Sequence, residues 1–215
     1  MSLVKNTFIA IAILCLWGCA SVYTVADFDV QTAQHRSIAI LPFGVTIAAK
    51  NLPEELTQAD LREQEKDEGY VFQRQMYTQF LQRYARGEYT VSFQDIDTTN
   101  VMLDRAGVKY EDLYKTHTRA ELASMLGVDA IVSGTISRSR PMGNWSAIAV
   151  GLFTPLWGAT NEVNASLMVH SGNNGDLLWS YDHEVSGSLG SSAEGISERL
   201  MKGVAKSFPY NSKKR

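Results

Sequence analysis

Cysteine is nearly missing from this chain, which has only Cys15 and Cys19, so a fold held by a disulfide framework is excluded. Concentrated positive charge is missing too. The formal net charge is -3 and the only dense basic run is Lys213-Lys214-Arg215, so no surface suits a nucleic-acid backbone, and residues 209–215 read as a solvated basic tail. The four histidines, His35, His117, His170 and His183, stand apart from cysteine or carboxylate partners at metal-ligand spacing. No nucleophile elbow, phosphate-cradling glycine loop or carboxylate pair occurs either, and Gly187-Ser188-Leu189-Gly190 lacks the lysine and spacing of a phosphate loop. The expectation is a non-enzymatic chain with no cofactor, no metal, no nucleic acid and no small-molecule substrate. Two stretches lack charge almost wholly: Lys5 is the only charged side chain in 1–18, and 141–161 has none.

The composition that remains is that of an ordinary globular protein, 45% hydrophobic and 20% charged over 215 residues, enough for one medium domain with its own core. At the amino terminus, Lys5 precedes the apolar run Phe8–Trp17 of ten residues. Such a run is too short to span about 30 Å of hydrocarbon as a helix and reads as a secretory signal over 1–18. The junction Leu16-Trp17-Gly18-Cys19 resembles the lipobox of bacterial lipoproteins, in which the thiol takes diacylglycerol before cleavage. Trp17 stands where that motif usually has a small or polar residue. The resemblance implies cleavage before Cys19, a diacylglyceryl and fatty-acylated amino terminus, and a mature charge of -3 - 1 = -4. Two or three acyl chains make such anchoring effectively permanent. Ala20, in place of the aspartate that retains enterobacterial lipoproteins in the inner membrane, implies sorting to the outer membrane, on its periplasmic side. Residues 19–36 read as the acylated cysteine and a short tether, since Ser21 to Gln34 lack helical periodicity.

Ser37-Ile38-Ala39-Ile40-Leu41-Pro42-Phe43 has the branched, apolar character of a strand covered on both faces and stopped by proline. Asn51 to Gly69 is strongly acidic (Glu54, Glu55, Asp60, Glu63, Glu65, Asp67, Glu68) and reads as a solvated loop, an exposed helical face or a partner-docking surface. In Tyr70–Arg86 the residues Phe72, Met76, Phe80 and Tyr84 recur at four-residue spacing, which predicts a core helix. Glu88–Gln94 alternates as a second strand. Asp97–Ala106 forms a helix ended by Gly107, and Thr118 with Glu121 forms a capping box for a helix that Gly127 ends. Val128–Ile136 is a third, mostly apolar strand. Asn161–His170 and Asp176–Val185 alternate around Gly172-Asn173-Asn174-Gly175 and predict a hairpin; a core position is expected for Trp179. A closing helix spans about Ser192–Phe208. This order predicts an α/β fold over 37–208, a mixed-sheet sandwich of two or three layers with helices packed on the sheet, ending in a β-hairpin and a helix.

The segments Ile38–Phe43, Leu126-Gly127-Val128-Asp129-Ala130-Ile131-Val132-Ser133-Gly134-Thr135-Ile136 and Gly175-Asp176-Leu177-Leu178-Trp179-Ser180, in that order, resemble those of the curli-secretion-channel lipoprotein family. That family's relatives include penicillin-binding-protein activator, flagellar outer-membrane and neisserial-type surface lipoproteins, with an α/β domain like the amino-terminal domain of TolB. The resemblance covers roughly 37–208. It implies a role in envelope assembly or export, through a protein partner or self-association, with an oligomeric secretion channel or an activator of a cell-wall synthase as alternatives.

The curli channel carries two membrane-spanning hairpins, and this chain departs from it at both slots. The first slot holds Pro141–Asn161 and the second only Val185–Ser191; a spanning strand needs about 9–11 residues, so one hairpin fits barely and two do not. In 141–161, Trp145 and Trp157 bracket Ile148, Val150, Leu152, Phe153 and Leu156, as aromatic residues do at a bilayer interface. These seven side chains are candidate membrane or partner contacts; the other reading folds the stretch into the domain's own core.

Overall fold

The computed structural model describes residues 20–48, 57–139, 162–186 and 193–212. They form an α/β domain on one mixed, seven-stranded sheet. In chain order the elements are β1 (Ser21–Thr24), α1 (Phe28–Gln31), β2 (Ser37–Ile40), β3 (Gly44–Ala48), α2 (Gln58–Tyr84), β4 (Ser92–Phe93), α3 (Ile96–Arg105), a 3-10 turn (Tyr110–Asp112), α4 (Arg119–Leu126), β5 (Ala130–Ser139), β6 (Glu162–Ser171), β7 (Leu177–Ser186) and α5 (Ala193–Ser207). Across the sheet the order is β1-β7-β6-β5-β2-β4, and β3 pairs with the outer half of β5. The β2, β3, β4 and β5 pairings are parallel, and the β5-β6-β7-β1 half is antiparallel.

The apolar run at β2 reads as it does because helices cover both faces of the sheet there. Ile38 and Ile40 pack with Phe72, Met76 and Phe80 of α2 and Leu200 and Val204 of α5. Ala39 and Leu41, pointing the other way, pack with Leu103 of α3 and Leu122 and Leu126 of α4. Gly134 of β5 lies under the Phe43 ring, where a Cβ would come within 2.4 Å of a ring carbon. Helix α4 has both predicted ends: the Thr118–Glu121 capping box is formed, and Gly127 closes the helix at φ +65°, a conformation open to glycine at little cost.

Asp129, from the Gly-Val-Asp-Ala stretch, fastens β5 to β2. Its carboxylate accepts the N–H groups of Arg36 (2.7 Å) and Ser37 (2.9 Å) and the Ser37 hydroxyl (3.3 Å). Burial alone would raise this carboxyl, but those donors outweigh it and hold it below the ordinary aspartate range. Asp129→Ala strands two main-chain donors and is expected to lower stability by about 1–3 kcal/mol; a urea-unfolding midpoint unchanged from wild type would refute the clamp.

Four sequence expectations need correction. Residues 20–36 are not a tether: Ser21–Thr24 pairs antiparallel with β7, and Phe28, Thr32 and His35 are buried, with His35 Nδ1 2.7 Å from the Tyr210 hydroxyl. Proline at 42 does not take the chain out of the sheet: pairing with β4 stops earlier, at Ile38, and beyond the proline the chain continues as β3 along β5. The acidic stretch from residue 58 onward takes the helical-face reading: it is the first turns of α2, opened by a Thr57–Asp60 capping box, with Asp60, Glu63 and Asp67 exposed. At the other end, 209–215 is not all solvated tail: Tyr210 is buried and Ser212 N–H donates to Glu88 O. The predicted second strand is also short. Only Ser92–Phe93 joins the ladder, while Tyr89, Val91 and Phe93 are buried as their alternation requires.

Candidate functional site

Register places one end of the sheet at the centre of any functional reading. Ser139, Glu162 and Ser186 are aligned across β5, β6 and β7, and Ala48 at the end of β3 pairs with Ser139. Strand β1 runs opposite to β7, with Ser21 across from Asp182, so the chain enters the sheet from that same end. The internal stretches outside the described residues, 49–56, 140–161 and 187–192, therefore all leave the sheet where the amino terminus enters it. Cys19, Trp145, Ile148, Val150, Leu152, Phe153, Leu156 and Trp157 themselves lie outside the described residues. The structure fixes their points of attachment, Ser21 on one side and the Ser139–Glu162 pair on the other.

Above this end, one sheet face is open. The face of β6 and β7 that carries Ala165, Leu167, Val169 and Trp179 is buried in the main core, with Trp179 only 1% exposed. The opposite face presents Thr135, Ser137, Asn164, Ser166, Asp182 and Glu184, which with Ser21 line a shallow depression of about 380 Å³. Small hydroxyls, one amide and two carboxylates, with Ala165 and His183 also on the lining, form a shallow, mildly acidic surface. At its upper margin α4 closes over the sheet. Arg119 lies over the Tyr114 ring at 4.8 Å and donates to Leu113 O at 2.9 Å, while Tyr114 shares its hydroxyl between Pro42 O (2.7 Å) and Gly134 O (3.1 Å).

The histidines are dispersed. His183 sits opposite Ala165, and His170 lies opposite Leu177 on one side and Ile131 on the other. Among the described residues no group of three or more His, Cys, Asp or Glu side chains could hold a metal ion. His170 Nδ1 is buried with no hydrogen-bond partner among the described residues; burial first, and the nearby Arg119 charge second, push its imidazole down to about 4.

That shift makes stability depend on pH. Above the ordinary histidine range the ring is neutral folded or unfolded. As pH falls from about 6.5 to about 4 only the unfolded chain takes up the proton, so stability falls, by about 2 kcal/mol after allowing for the part of the ring that water screens. Below about 4 the folded ring protonates too and the loss levels off. His183, lowered by burial, acts in the same direction. The check is urea unfolding between pH 7 and 4 with His170→Gln, which should flatten much of the slope; an unchanged slope would assign the effect elsewhere.

The sheet's edges are treated unequally. On β3 the outward N–H groups of Val45 and Ile47 donate to the Tyr110 hydroxyl (3.2 Å) and Glu65 Oε1 (2.8 Å). Beside β4, Thr90 N–H donates to Tyr210 O (3.0 Å), and Tyr89 bridges Asn211. Strand β1 is exposed at all four residues, with Val22 and Tyr23 each 49% accessible. Sequence reasoning missed β1 because a strand with no buried side leaves no hydrophobic period to read.

No protein-family model and no curated protein sequence matches this chain. Several solved structures are similar. The PelC dodecamer of Paraburkholderia phytofirmans is 11% identical with a TM-score of 0.46, over 87% of this chain and 96% of that one. Lipoprotein GNA1162 of Neisseria meningitidis is 14% identical with a TM-score of 0.46, over 80% and 96%. The LpoB C-terminal domain of Escherichia coli is 10% identical with a TM-score of 0.34, over 71% and 84%.

Proposed function

We propose that this chain is a bacterial lipoprotein, acylated at Cys19 and held on the periplasmic side of the outer membrane, whose TolB-like α/β domain is a non-enzymatic module. It binds an envelope protein or further copies of itself in cell-envelope assembly or export. One observation carries this reading: Ser21, two residues after the lipobox cysteine, enters the sheet at the end where Ser139 and Glu162 hand the chain to the uncharged aromatic stretch. The points from which the chain leaves for the anchor and for the aromatic stretch therefore lie at one end of the domain, which supports a role for that stretch at the bilayer or against a neighbour standing on it.

A second reading has a specific observation in its favour. Ser139 and Glu162 are directly paired neighbours on antiparallel strands, so 140–161 begins and ends as a hairpin does, which fits an oligomeric channel subunit that extends β5 and β6 into the membrane. Photocrosslinking from positions 145, 153 and 157 in intact cells tests both. Adducts to a protein partner or to a second copy support the module. Adducts to lipid alone, together with detergent-resistant rings that conduct ions in planar bilayers, support the channel. Adducts only within the chain's own core would remove the interaction role of 141–161. Among the described residues no helix is long and apolar enough to cross a membrane.

A further inference from the structure

Arg119, the first residue of α4, is a cation without a counter-charge. Arg83 and Arg86 both pair with Glu88, whereas Arg119 has no such carboxylate among the described residues. It is held by the Tyr114 ring under its guanidinium and by the bond from Nη1 to Leu113 O, and its Nε is buried with no hydrogen-bond partner. Burial pushes its pKa down, and the influence opposing this comes from Tyr114, not from a carboxylate. A guanidinium stays charged at any physiological pH, and drawing a charge out of water costs free energy that a partner normally offsets. Two further polar atoms without a partner among the described residues, His170 Nδ1 and Ser133 Oγ, lie on the sheet face that α4 covers. Ser133 is directly opposite Met168, and His170 is opposite Ile131, which packs with Leu122 and Leu126 of α4; the two are therefore diagonal neighbours about 7–8 Å apart on one face. Tyr114, under the guanidinium, bonds the carbonyl of Gly134, the residue after Ser133. A Cβ at Gly175, in the turn that follows His170, would lie 4.0 Å from the Arg119 Cβ. The start of α4, β5 and β6 thus gather unspent hydrogen-bonding capacity in one region, where native proteins rarely leave buried polar atoms unpaired.

We propose that Arg119 and His170 form a recognition site for a carboxylate carried by a protein partner. Both side chains are partly exposed, so the group approaches from solvent. A guanidinium only donates hydrogen bonds, a neutral imidazole has one N–H to give, and an ionised carboxylate only accepts, with two oxygens that match the guanidinium fork. Because Nε is closed to water in the unbound domain, seating the carboxylate turns the Arg119 side chain outward, a rotamer change of the kind common at interfaces. The charge balance favours a monoanion. The site offers one cation and a histidine that is neutral at pH 7, Asp182 and Glu184 lie on the open face of the same sheet, and the chain as a whole is at -3, which disfavours a phosphate dianion or an anionic bilayer. Leu177, exposed and directly paired with His170, offers apolar contact to a residue beside the carboxylate. The site lies toward the β6–β7 turn, away from the sheet end where Ser139, Glu162 and Ser186 are aligned. It is therefore independent of Cys19 and of 141–161.

The test uses the full-length protein in mild detergent, isotope-labelled in its arginine side chains and histidine rings for NMR, with three probes added at constant ionic strength. N-acetyl-leucine carries a terminal carboxylate, N-acetyl-glutamic acid α-amide carries a side-chain carboxylate, and N-acetyl-leucinamide carries none. The Arg119 Nε–H and His170 ring signals are expected to move saturably with the carboxylates, with a Kd of about a few millimolar for ligands of this size, and to stay in place with the amide. The carboxylate with the lower Kd identifies the source as a chain terminus or an acidic side chain. Arg119→Lys keeps the charge without the planar fork and should raise the Kd at least tenfold at an unchanged urea midpoint, and an unchanged Kd overturns the site. If that variant unfolds, the wild-type comparison of N-acetyl-leucine with its amide decides alone. Equal movement with the amide, or no movement with either carboxylate, overturns the site. Inorganic phosphate that moves the same signals as strongly at equal concentration overturns the assignment to a carboxylate. Each of these failures leaves the lipoprotein reading standing, because neither the anchor nor 141–161 takes part.

Discussion

Phe80→Ala should remove about 3–5 kcal/mol of stability, a large share of the about 5–15 kcal/mol that holds a domain together. Phe80 is fully buried, and its ring centroid lies 4.4 Å from Phe208, 4.9 Å from Phe93 and 5.7 Å from Tyr89. Those rings come from the residue just after α5, from β4 and from the segment before β4, so one side chain on α2 ties four parts of the chain. Truncation removes its transfer free energy and leaves a void bounded by stiff aromatic rings that cannot collapse into it. The Tyr89 hydroxyl, held against Ala205 O, further limits that collapse. Urea unfolding at neutral pH should show a lower midpoint with an unchanged slope. Phe80→Leu should recover more than half the loss, and Val71→Ala on the exposed side of α2 should stay within about 0.5 kcal/mol. A loss below about 1 kcal/mol for Phe80→Ala would mean that the rings do not meet as described.

The elements that were legible in the sequence share a physical property: they have one buried and one wet side, or ends with chemistry of their own. Helix α4 was readable because Thr118, Glu121 and Gly127 each perform a terminal task. The β6–β7 hairpin was readable because Ala165, Leu167 and Val169 alternate with Asn164, Ser166 and Met168, and because Gly175 adopts φ +78°. Strand β5 changes character midway. Ala130–Val132 is covered on both sides, whereas Thr135 and Ser137 face solvent, and it is this second half that receives β3. Strand β3 went unseen because only Val45 and Ile47 of its residues are buried and Pro42 reads as a stop. The first turns of α2 carry too few apolar residues for a period, although Thr57 and Asp60 announce the start. Around α1 the spacing of Phe28, Thr32 and His35 is helical, but two of those three are polar; Phe28 and His35 are buried against Tyr210 across the chain, and the Thr32 hydroxyl donates to Phe28 O. The candidate site was legible as composition, in the lipobox and the uncharged aromatic stretch. What composition could not give is that the chain leaves for both from one end of the sheet, since that depends on the antiparallel pairing of β1 with a strand about 160 residues further on.

Cys19→Ser should move the protein from the membrane fraction to the soluble fraction almost completely while leaving the domain folded. One fatty chain binds a bilayer only marginally, with an association constant of about 10⁴ M⁻¹, and a second chain adding about ten buried methylenes contributes about 8 kcal/mol more. At about 1.4 kcal/mol per decade that is nearly six orders of magnitude, so loss of the thioether, and of the processing that depends on it, should abolish detergent-requiring behaviour. The core begins at Phe28 and is closed by Tyr210, so the urea midpoint should stay within about 0.5 kcal/mol of wild type. Radiolabelled palmitate should be incorporated by the wild-type chain and not by the variant. Wild-type membrane retention by Cys19→Ser would refute acylation at this residue as the anchor. Partial retention that disappears with Trp145→Ser, Phe153→Ser and Trp157→Ser would place the remainder in the uncharged stretch, because those side chains carry most of the apolar area it has to offer a bilayer. Partial retention that survives those changes would instead point to an anchored protein partner, bound through some other part of the domain.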